Sequence, residues 1–121
     1  MKKGLDPTDY LQDILDNINR IESFIAGMSL DDFRKDTRTA YAVVRALEII
    51  GEATKQIPES IRQECPEIPW SEIARMRDKL IHQYFGVDLA VVWNTVMTDV
   101  MPLRICVQRL LSAALGDSGV S

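Results

Sequence analysis

The chain has 121 residues, 46% of them hydrophobic and 26% charged, a balance that fits one globular domain with its own core. Its formal net charge is −4, from 14 basic and 18 acidic residues. That excludes a protein that coats nucleic acid by bulk electrostatics, and leaves room for a local basic cleft or a partner with a basic surface.

Strand signals are almost absent, while helical periodicity recurs in every long segment. Asp6-Pro7 opens the first helix, with Asp6 as cap and Pro7 at the first helical position. Tyr10, Leu11, Ile14, Leu15, Ile18, Ile21 and Ile25 form its apolar stripe, Asn17 lies off it, and the helix ends near Gly27. Ser29 and Asp32 have the spacing of a capping box for a short turn over 30–35. A helix over about 36–57 follows, with Tyr41, Val43, Val44, Leu47, Ile49 and Ile50 around most of its circumference. Arg45, Glu48, Glu52 and Lys55 form its polar stripe, of which Arg45, Glu48 and Glu52 read as an internal salt-bridge network that can orient Arg77 across the bundle. Pro58, Pro66 and Pro69 punctuate a stretch with one short helix over 59–64.

A helix over about 69–84 comes next, ended by Gly86. Asp88 caps the last long helix, whose apolar face runs from Leu89 through Val92, Val96, Val100, Leu103 and Val107 to Leu111. Pro102 should kink it. Trp70 and Trp93 read as packing groups, Met76, Met97 and Met101 as gap-fillers. Four long helices with short connections predict an all-α, up-down antiparallel bundle of four to five helices. One domain over 1–121 is expected, with a core of about 6–115 and a tail at 116–121. Met1-Lys2-Lys3-Gly4 is basic but no apolar run follows, so no secretory leader is expected, and no 18-residue apolar stretch predicts a membrane span. Cys65 and Cys106 lack metal-ligand spacing and read as free thiols of a cytoplasmic chain.

His82 is the single histidine. It is thus the one side chain whose ordinary pKa, ~6.5, suits proton transfer at neutral pH. Asp78 lies one helical turn before it and can fix its tautomer. Arg75, Arg77 and Lys79 put three positive charges within five residues, the best local candidate for phosphate contact. Arg77 and His82 are five apart, ~140° around a helix, so they do not point the same way; a long Arg side chain can still bend toward His82, or a second subunit can complete the site. Arg77 and Tyr84 share a face. One histidine with scattered carboxylates offers no closed metal-ligand set.

The run Ile68-Pro-Trp-Ser-Glu-Ile-Ala-Arg-Met-Arg-Asp-Lys-Leu-Ile-His-Gln-Tyr-Phe-Gly-Val-Asp88 resembles HEPN proteins of the HepT-like toxin group. So does Arg45-Ala-Leu-Glu-Ile-Ile-Gly-Glu-Ala53, and the likeness spans about 10–111. The family pattern, Arg, a polar residue, three more, His, one more, Tyr, falls here on Arg77, Asp78, His82 and Tyr84. Asp78 departs from the commoner Asn and adds negative charge beside the phosphate site.

The resemblance implies a homodimer whose two Arg-His helices build a composite cleft. It implies metal-independent RNA cleavage by the ribose 2′-OH, with His82 moving protons and Arg77 stabilising charge on the phosphate oxygens, and no cofactor. It also implies a toxin paired, as in type VII-like systems, with a nucleotidyltransferase antitoxin that adenylylates Tyr84. The alternative is a non-catalytic helical dimer that holds a nucleotide or phosphate and docks or regulates the nucleotidyltransferase.

Overall fold

Four of the helices begin at side chains that accept the unpaired amides of a first turn. Asp6 accepts from the Thr8 and Asp9 amides at 2.8 and 3.3 Å, and the Asp9 carboxylate accepts from the Asp6 amide at 3.1 Å. Pro7 sits where no N–H is needed, and α1 runs Pro7–Ile25. The chain turns at Gly27, whose φ of 77° is the left-handed region that glycine enters freely. Ser29 and Asp32 form a second reciprocal cap and open α2, Leu30–Lys35. Asp36 accepts from the Thr39 amide at 3.0 Å and caps α3, Thr37–Thr54. One turn, α4 (Glu59–Arg62), follows, and Arg62 donates to the carbonyls of Thr54 and Ile57 at 2.8 and 3.0 Å. Next come α5, Trp70–His82, and α6, Leu89–Thr95, the latter capped by Asp88. This computed structural model describes residues 6–82 and 88–119, without the side chains of residues 77, 79–82 and 115–119. Tyr84 and Gly86 lie outside the described residues.

The disturbance expected at Pro102 takes the form of a π-turn, Val96–Val100, between α6 and α7, Met101–Gly119. The Met101 amide bonds to the Val96 carbonyl, five residues back. A widened turn just before Pro102 relieves the missing N–H and the clash of its ring with a carbonyl four residues earlier. The helix runs past Gly116, where the sequence predicts a tail. Strong helix formers lead into that position, and one glycine there costs only about 1 kcal/mol.

The result is the expected all-helical bundle, with no strand among the described residues. Helix α1 packs on α3 and α7, and α3 packs on α5. Ile14, Ile18, Ile21, Val43, Leu47, Ile50, Ile73, Val100 and Leu103 form a closed centre. Phe33 from α2 is fully buried, its ring 5.3 Å from that of Trp93.

Three readings change. Asn17 is buried, because its Nδ2 donates to the Asp13 carbonyl at 2.9 Å and so leaves no unmet bond. Tyr41 is 60% exposed, since it begins the outward row that Arg45, Glu48 and Glu52 continue. Met97 is exposed, unlike Met76, which is in the core.

Cys65 and Cys106 are corrected outright. Both are buried and joined as a disulfide, with Cα atoms 6.4 Å apart. The turn after α4 lays Cys65 against α7, a pairing across 41 positions that local spacing does not reveal. The sulfurs therefore no longer argue for a reducing compartment. By length and composition the run Leu89–Ala114 could cross a membrane, which the sequence reading did not expect. Its Val92, Val96, Val100, Leu103, Val107, Leu110 and Leu111 are buried in the bundle core.

Candidate functional site

Helix α5 is held at its start by aromatic and backbone contacts. Trp70 is buried, and its indole N–H donates to the Cys65 carbonyl at 3.0 Å, while the Ile73 amide bonds to the Pro69 carbonyl at 3.0 Å. Trp70, Ile73, Ala74 and Met76 turn inward. Ser71, Glu72, Arg75 and Asp78 are exposed. The backbone of α5 thus carries Arg77, Asp78 and His82, and helical register sorts them. Position 77 continues the row of Trp70, Ile73 and Ala74. Position 82 continues the exposed row of Ser71, Arg75 and Asp78. The structure therefore keeps Arg77 and His82 on different rows of one helix, as their spacing requires.

The Asp78 carboxylate meets Lys55. The ammonium lies 3.4 Å from both carboxylate oxygens, across the packed pair α3 and α5. Lys55 is the C-cap of α3, and its amide bonds to the Gly51 carbonyl at 3.2 Å, which fixes where its side chain departs. Sequence reasoning placed Lys55 in the polar stripe of α3 without seeing its partner. Of that stripe, Arg45 pairs with Glu48 at 3.3 Å within the helix, and Lys55 reaches α5.

Grooves flank these helices. One, of about 480 Å³, lies between α1 and α3 and is lined by Tyr10, Asp13, Arg45, Glu48, Glu52 and Gln56 among others. A smaller one, of about 190 Å³, lies between α5 and the π-turn region, lined by Glu72, Arg75, Met76, Thr95 and Asp99 with Ile73. Among the described residues no group of three or more His, Cys, Asp or Glu is placed to hold a metal ion. Trp70 and Trp93 pack within the protein, as expected.

A comparison with known families matches residues 14–110 to the family described as ribonuclease HepT-like. A protein of Thermococcus cleftensis named "Probable ribonuclease HepT" is 55% identical over 96 residues, covering 79% of this chain and 87% of its own. A provisionally named RNase of Methanocaldococcus jannaschii is 45% identical over 95 residues, 78% of each chain. Another, from Caldanaerobacter subterraneus subsp. tengcongensis, is 43% identical over 105 residues, 87% of this chain and 94% of its own. No solved structure matches. The segment bearing Arg77, Asp78 and His82 falls inside the matched span, and on the extent of that match the chain belongs to the HepT-like ribonuclease family.

Proposed function

We propose that this chain is a metal-independent endoribonuclease toxin whose site is built on α5 from Arg77 and His82, supported by Asp78. The observation that supports the reading is that this segment lies on α5, inside a span matched to HepT-like ribonucleases. In this reading His82 accepts the proton of a ribose 2′-OH, and the 2′-oxygen attacks the adjacent phosphorus. The bond to the 5′-oxygen breaks, and that oxygen takes up a proton, leaving a 2′,3′-cyclic phosphate and a 5′-hydroxyl. Arg77 stabilises charge on the non-bridging oxygens, a task suited to its fixed fork of donors. Because register separates the two residues by ~140°, a second copy of the chain completes the cleft, and the active species is a homodimer.

Purified protein should cleave single-stranded RNA in the presence of EDTA and yield cyclic-phosphate ends. His82→Ala should slow cleavage by roughly 10²-fold or more, with an unchanged circular-dichroism spectrum. Cleavage at the wild-type rate by that variant would sink the assignment.

The reading extends to control. A nucleotidyltransferase antitoxin adds AMP to Tyr84, placing a bulky anion on the face of Arg77 and blocking the substrate phosphate. Co-expression with such a partner should raise the intact mass by one adenylyl group, and Tyr84→Phe should remove the gain. A gain that persists in Tyr84→Phe would move the modification elsewhere.

A further inference from the structure

We propose that Lys55 is a positioning residue of the RNA site: it holds the Asp78 carboxylate and offsets its charge, so that a phosphate can approach Arg77. The inference rests on the ribonuclease reading above. Asp78 adjoins Arg77 in sequence and stands one turn before position 82 on the exposed row of α5, so on the ribonuclease reading its carboxylate borders the path of an anionic substrate. A carboxylate there repels phosphate. Lys55 answers that charge from another helix, its ammonium 3.4 Å from both oxygens of Asp78.

The pair is 34% and 50% exposed, so water screens it and it adds little to folding. Its effect is on the local field at the mouth of the site. The position of Lys55 is itself determined, since it closes the C-terminus of α3 and α3 packs on α5. The Arg45–Glu48 pair, higher on the same stripe, closes within its own helix, whereas Lys55 crosses to Asp78.

The test is a double-mutant cycle on the full chain with Lys55→Met, Asp78→Asn and both together, and Lys55→Arg as the conservative control. Binding is read by anisotropy with a labelled 2′-O-methyl RNA of mixed sequence, which cannot be cleaved, and KM and kcat are read with the unmodified RNA. Lys55→Met should weaken binding and raise KM about five-fold with kcat nearly unchanged, and the difference should shrink in high salt. Lys55→Arg should recover binding to within about two-fold of wild type. Asp78→Asn should bind at least as tightly as wild type, and adding Lys55→Met to it should change binding by less than about two-fold.

Equal losses from Lys55→Met in both backgrounds would make Lys55 an independent phosphate contact and overturn the proposal. So would wild-type binding by Lys55→Met, or no binding by any variant. A wild type that binds the modified RNA but leaves unmodified RNA intact would instead remove the ribonuclease reading, with the binding cycle still deciding on Lys55.

Discussion

Asp36 carries the start of α3 on one carboxylate. The amide of Thr39 donates to it first, then the Thr39 hydroxyl, and these bonds hold its pKa below the ordinary 3.8. A depressed folded pKa means stabilisation that is complete above the ordinary value and is lost as pH falls through the folded one. Wild type should therefore lose more of its urea midpoint between about pH 4 and pH 2 than Asp36→Asn, which keeps a capping oxygen that does not titrate. Parallel curves for the two proteins would show that this cap does not sense acid. Such caps are legible in the sequence because donor and acceptor lie within three residues, as at Asp6, Ser29 and Asp88. The Lys55–Asp78 pair is not, because its members are 23 positions apart and meet only after α3 and α5 have packed. Asn17 is hidden for a related reason: a polar residue reads as outward until its bond to the Asp13 carbonyl is seen.

At the level of elements, periodicity places the helices well and treats their irregularities poorly. The short α2 runs Leu30–Lys35, as the capping pair at Ser29 and Asp32 predicts. Pro102 correctly marks a disturbed helix, but whether a proline bends a helix or sits behind a π-turn depends on packing at both ends. Here Val96 and Val100 are both buried, and the widened turn lets both reach the core before the ring of Pro102 arrives. For α5 the useful element is the row rather than the residue. Trp70, Ile73 and Ala74 form the inward row, and the exposed row carries Arg75 and Asp78 on the backbone that leads to position 82. That division is readable from spacing alone.

For the whole molecule, the all-α bundle was legible because each long segment repeats its apolar residues at three and four positions, and the core contains those residues. The candidate site was legible as a segment, through the single histidine and the cationic cluster, but its cross-helix partner was not. The least legible feature was the bond between Cys65 and Cys106, and it has a topological consequence. It closes a covalent ring spanning 41 positions, and Arg77, Asp78, His82 and Tyr84 all lie on the ring rather than on either free arm. A single peptide cut anywhere on the ring, for instance by trypsin after Arg75 or Lys79, releases no fragment. A nicked chain should migrate as one species without reductant and as two with it, and two species without reductant would show the ring to be open. The segment that carries the motif is thus tied at its base, and one break in the backbone does not part it from the rest of the chain.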